Sequence, residues 1–157
     1  MRDSIGSWLS GPSAALPDGE QSRYPGERFG LPEQGAGSLA STGRRVGALV
    51  IDWLMSMGIA ALILSLFTLP EWMPWGTLTL VIWAIFSVVG VWLFAFTPGM
   101  AWMGMGVVRL DAAVRVGLVR PVVRTVLTVF IAPPLIGDVD GRGMHDRATG
   151  TAVINTR

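Results

Sequence analysis

The sequence of 157 residues contains no cysteine and no lysine, and a single histidine, His145. Without cysteine there is no disulfide, no thiolate metal ligand and no cysteine nucleophile, although the redox compartment stays open. All twelve basic residues are arginine, which reads as a coding bias towards Arg, Ala, Gly and Val of the kind a GC-rich bacterium shows. One histidine beside Asp146 and Arg147 falls short of the three or four ligands a metal centre needs. No nucleophile elbow or related catalytic signature accompanies it. The sequence therefore predicts no catalytic residue, no metal, no cofactor and no enzyme. Charge is scarce too: 15% of residues are charged, against about 25% in ordinary soluble domains. The net charge of +1 gives no argument for a nucleic-acid partner.

What the chain has instead is apolar residues, 51% of the total, with a mean hydropathy of +0.53. They are clustered. Residues 46–69 carry one charge, Asp52, and residues 76–96 carry none. A bilayer core takes about 20 apolar residues as a helix, so both segments are expected to span, with the lipid bilayer as their partner. Between them lies "PEWMPW", where Pro70 and Pro74 break the helix and Trp72 and Trp75 suit a membrane–water interface. Arg44 and Arg45 precede the first span, while Arg109 and Arg115 follow the second. The positive-inside rule then places the N-terminus and the 97–115 loop in the cytoplasm and the tryptophan-rich turn outside.

Residues 1–43, rich in Gly, Pro and Ser with no apolar periodicity, are expected to form a disordered cytoplasmic tail. The tail is too long and too acidic for a signal-peptide n-region, so the first span is expected to stay in the mature protein. Residues 44–157 form the membrane domain.

A third apolar segment, 116–132, holds Arg120 and Arg124 and ends at Pro133–Pro134. At about 1.5 Å per residue it reaches only ~25 Å, short of a core of about 30 Å. Arg120, Arg124 and Thr128 recur every four residues and share a face. Two readings stand: a third span with buried arginines, or an amphipathic, partly inserted helix. "GVVRLD" (106–111) and "GTAVINT" (150–156) read as short strands. If they pair in a small cytoplasmic ribbon, both lie on one side and the third segment dips in without crossing. The expected fold is thus an all-α membrane protein, a two-helix hairpin plus a short Pro-broken third helix, with a two-stranded ribbon.

Asp52 is the sharpest feature. Seven residues from Arg45 are about 10 Å of helix and nearly two turns, so the two share a face. An aspartate at helix centre costs roughly 2.5–3.5 kcal/mol on insertion scales, less off-centre. It calls for a partner, a proton or water. Candidate partners are Arg45 by snorkelling, and Arg120 or Arg124 from the third helix. Such a pair would be a structural staple, whereas an unpaired intramembrane acid is a functional-site hypothesis. His145 reads as a polar cytoplasmic or interfacial residue and, with Arg120 and Arg124, as a candidate partner of the Arg/Asp set. Met100, Met103 and Met105 read as adaptable packing, since thioethers alone favour no metal site here.

The order of these features resembles the RDD family of bacterial membrane proteins: Arg at the start of helix one, Asp within it, "TPG" after helix two, a "GVVRLD"-like strand, and a terminal "GRGMHDRATGTAVI". The match covers about residues 44–157. The resemblance places the family's arginine on Arg45, its first aspartate on Asp52 and its second on Asp146. One departure is that Met100 and Ala101 follow "TPG", where relatives often carry a basic residue. The resemblance implies a multi-pass protein of the bacterial inner membrane, and transport or exchange of ions, protons or small ligands. Two full spans and a partial one are too few to enclose a path, so a homo-oligomer or larger membrane complex is expected. The alternative is a non-catalytic scaffold or accessory subunit in which the Arg/Asp set is a structural salt-bridge network.

Overall fold

The computed structural model describes residues 23–68, 70, 72–110, 117–130 and 144–157, apart from the side chains of residues 130, 144, 145 and 147. Residues 1–22 of the expected tail, and the ends of the third apolar segment at 116 and 131–132, lie outside them.

Two long helices dominate. Helix α1 runs Thr42–Leu66 and α2 runs Trp75–Phe94, about 37 and 30 Å at 1.5 Å per residue. Both are long and apolar enough to cross a membrane by length and composition. Helix α1 starts earlier than its apolar run because Ser41 caps it, its Oγ accepting from the Arg44 amide at 3.4 Å. This satisfies one of the orphan donors of the first turn. It ends at Leu66, ahead of Pro70, and the Phe67 amide closes the last turn on Ile63.

The chain then folds tightly. Ala95 adopts a left-handed conformation after α2, and Thr97 caps the five-residue helix α3, Pro98–Trp102. The Thr97 Oγ1 accepts from the Met100 amide at 3.2 Å, with Pro98 in the first turn, where its missing N–H costs nothing. Strand β1, Met105–Arg109, pairs antiparallel with β2, Thr151–Asn155, with Val107 opposite Val153. Between them come α4, Val119–Phe130, and α5, Met144–Thr149. The two strands anticipated from the sequence thus form and pair, each a residue or two shorter.

Residues 37–40, placed by composition in the tail, lie along the other edge of β2. The Gly37 and Ala40 amides donate to the Asn155 and Val153 carbonyls at 2.7 and 2.8 Å, and the Asn155 amide donates to Ser38. Backbone hydrogen bonds to an existing sheet edge hold this stretch, so it needs no apolar periodicity of its own.

The interior has two apolar clusters. Ala40, Ala48, Val91, Met105, Val107 and Val153 form one where the helices meet the sheet. Ala60, Leu78 and Ile82 form the other near the helical turn. Helix polarity is inverted relative to a soluble bundle. On α1 the buried residues are Arg45, Ala48, Asp52, Ser56 and Ala60, while Val50, Leu54 and Leu62 are exposed. On α4 Arg124 and Thr125 are buried and Val119, Val122 and Val126 are exposed. A helix of a soluble protein turns its apolar stripe inward instead.

Candidate functional site

The stripe Arg45–Ala48–Asp52–Ser56 has the three- and four-residue spacing that keeps side chains on one helix face. It brings an arginine and an aspartate into the interior together. Asp52 is 3% exposed. Its Oδ2 accepts from the Thr97 hydroxyl at 2.5 Å and its Oδ1 from the Gly99 amide at 2.6 Å. Thr97 takes a hydrogen bond from Met100 and passes its own proton towards Asp52, so the corner presents two donors to one carboxylate. Arg45 and Arg124, expected as partners of Asp52, pair with Asp146. The aspartate staples α1 to the "TPG" corner rather than to the third helix.

That corner must approach closely. A Cβ on Gly99 would overlap the Ala48 carbonyl oxygen and stand 3.0 Å from Asp52 Cγ. Only glycine lets the α3 backbone lie against α1 at this point.

The arginines converge on Asp146, which is fully buried. Arg45 Nη1 reaches Oδ2 at 3.4 Å, and Arg124 Nη1 forms a close ion pair with Oδ1. Thr151 joins them, accepting from Arg124 at 3.3 Å and lying 2.9 Å from Thr149 Oγ1. Asp146 thus carries two cations from two helices, and the triad Arg45–Asp146–Arg124 holds one net positive charge. A buried ion pair repays its desolvation only with such added hydrogen bonds.

Between α1, α2 and α4 lies a cavity of about 60 Å³, lined among others by Arg45, Asp52, Trp83, Ser87, Arg124 and Thr125. Arg45 and Asp52 line it from the α1 wall and Arg124 from the α4 wall. Trp83 meets Trp53 edge to face, with ring centroids 6.1 Å apart. Three N–H groups of the lining residues have no hydrogen-bond partner: Nε and Nη2 of Arg45, and Nε1 of Trp83.

Of the residues singled out in the sequence, Arg45, Arg124 and Asp146 are therefore in contact. Asp52 shares their cavity without touching them. Arg120 lies on α4 near Gly150. His145 lies on α5, and its side chain is outside the described residues. No cluster of three metal-ligating His, Cys, Asp or Glu side chains occurs among the described residues. Sequence reasoning missed Thr97, Gly99, Thr151 and Trp83. The first two carried a usable signal, since a threonine before proline marks a helix start. Comparison with protein-family models, curated proteins and solved structures returned no match.

Proposed function

We propose that this chain is an RDD-type, multi-pass protein of the bacterial inner membrane whose buried arginine–aspartate cavity handles ions. The inverted polarity of α1 and α4 carries the membrane reading. In the most apolar windows of α1 and α2 only 17% and 28% of residues are buried, which supports lipid-facing spans over core helices of a soluble domain. The exposed valines, leucines and tryptophans form more apolar surface than water tolerates on a soluble protein.

Arginine before α1 and its absence from the Trp72–Trp75 turn favour a cytoplasmic N-terminus. Pairing of β1 with β2 returns the chain to the side it left. Over its described residues, helix α4 is about 18 Å long at 1.5 Å per residue, short of a core of about 30 Å, which supports partial insertion over a third crossing.

Two oppositely charged residues placed on one face of a span, opening on one cavity, support ion handling. Two spans and a short α4 are too few to enclose a path, so a path requires assembly with further copies. Proteoliposomes holding the full chain and a pH-sensitive dye test this. Salt gradients should drive proton-coupled flux, and Asp52→Asn should abolish the coupling. Coupled flux that survives Asp52→Asn removes Asp52 from the mechanism.

A second reading has its own support. Both oxygens of Asp52 and both of Asp146 are occupied by protein donors, as a scaffold locked by its polar interior would require. Absence of flux with every salt, in a folded reconstituted protein, favours that reading.

A further inference from the structure

We propose that the cavity between α1, α2 and α4 binds a small inorganic anion of halide size, held by Arg45 Nε and Nη2 and by Trp83 Nε1. The inference rests on the reading of this cavity as an ion site, and it names the class of ion. The three unpartnered groups are all donors. They sit on residues that line one cavity, and both residues are 4% exposed. Native interiors seldom leave such groups unpaired, and an orphaned donor on a charged group costs more than a neutral one. What these donors lack is an acceptor.

The local charge says which acceptor. Arg45 and Arg124 share the single carboxylate of Asp146, leaving one positive charge uncompensated within the triad. Asp52, the other acid on the cavity, directs both oxygens to Thr97 and Gly99. The α2 wall contributes Trp83 and Ser87 and no charge. A water molecule would satisfy the donors but leave the charge, whereas a halide satisfies both. The cavity is small, about 60 Å³, and a halide is among the smallest anions that meet both demands. A cation would find donors without partners where it needs acceptors.

Because Asp52 lines the same cavity, its negative charge opposes an anion there, and neutralising it strengthens binding. That sign separates an anion site from a carboxylate-coordinated cation, which the same change would abolish. The measurement is the chloride NMR line width of the purified full chain in detergent, titrated from sodium gluconate, whose anion is too large to enter. Wild-type protein should show saturable broadening that bromide competes away. Trp83→Phe keeps the ring and its packing but removes one donor, and should weaken binding about tenfold, the value of one charge-assisted hydrogen bond. Asp52→Asn should tighten it several-fold.

No saturable broadening in folded wild-type protein means the cavity holds water only and overturns the proposal. So does a Trp83→Phe affinity equal to wild type, which also decides the matter if Asp52→Asn fails to fold. Loss of chloride binding in a folded Asp52→Asn protein also overturns it, since removing a negative charge cannot weaken the proposed site. Binding in detergent without flux in proteoliposomes removes transport and keeps the anion site; flux without broadening does the reverse.

Discussion

Replacing Gly99 by alanine sets two effects against each other with opposite signs. Gly99 lies in the first turn of α3 with an ordinary helical backbone, so alanine should favour the helix by about 1 kcal/mol on propensity alone. The structure predicts the reverse. The new Cβ would overlap the Ala48 carbonyl oxygen and crowd Asp52 Cγ at 3.0 Å. The obstruction on the α1 side is backbone, which cannot rotate away. Overpacking of this kind costs about 1–3 kcal/mol. Relief requires α3 to lift from α1, which breaks the 2.6 Å bond from the Gly99 amide to Asp52. A hydrogen bond to a charged group contributes about 1.5–3 kcal/mol. The net expectation is a loss of about 2–5 kcal/mol, a large share of the 5–15 kcal/mol typical of a domain. Gly58→Ala is the control, since Gly58 lies within α1 and a Cβ there meets nothing within 4 Å; it should stabilise by up to about 1 kcal/mol. Unfolding of the detergent-purified proteins by heat or denaturant, followed by circular dichroism, measures both. A Gly99→Ala protein within about 0.5 kcal/mol of wild type would refute the close docking of the corner on α1.

Three further outcomes are expected. Asp146→Asn weakens both arginine pairs at once and should destabilise by about 3–5 kcal/mol, seen as reduced accumulation and a lower unfolding midpoint; a change below 1 kcal/mol would contradict the triad. Asp52→Ala and Thr97→Val should each cost about 1–3 kcal/mol, and their double mutant less than the sum, because both remove one hydrogen bond; strict additivity in a double-mutant cycle would show that the bond contributes nothing. For topology, cysteines introduced at Trp72 and at Arg157, both exposed, should label from opposite sides of the membrane, Trp72→Cys from outside intact cells and Arg157→Cys only after permeabilisation.

The long helices were legible because length and hydropathy alone identify them. Their ends were not, because caps set them: Ser41 draws α1 back to Thr42, across arginines that composition assigns to a flank. The strands were legible from β-branched residues between glycines, and their mutual pairing followed from the lack of other candidates. Residues 37–40 gave no such signal, since "GSLA" has little strand propensity and is held by backbone bonds to β2. Spacing placed Arg45 and Asp52 on one face correctly. It could not say which residue each would meet, because that depends on how the chain turns after α2. Thr97 and Gly99 reach Asp52 only after the reversal at Ala95, and Asp146 reaches the arginines only once β2 has found β1. Trp83 carries no chemical signature until its buried indole N–H is seen to lack a partner on a residue that lines the same cavity as Arg45.

The central strand of the small sheet has a consequence for how the molecule comes together. In chain order β2 follows both neighbours that it joins, 37–40 and β1, and it follows α5 with Asp146. During synthesis Asp52 therefore meets its corner well before Arg45 and Arg124 meet their shared carboxylate. For that interval the two guanidinium groups lack the carboxylate they share in the folded chain. Their burial is in this sense gated by the arrival of β2: the sheet closes like a clasp, and only then can the arginine-bearing helix leave water.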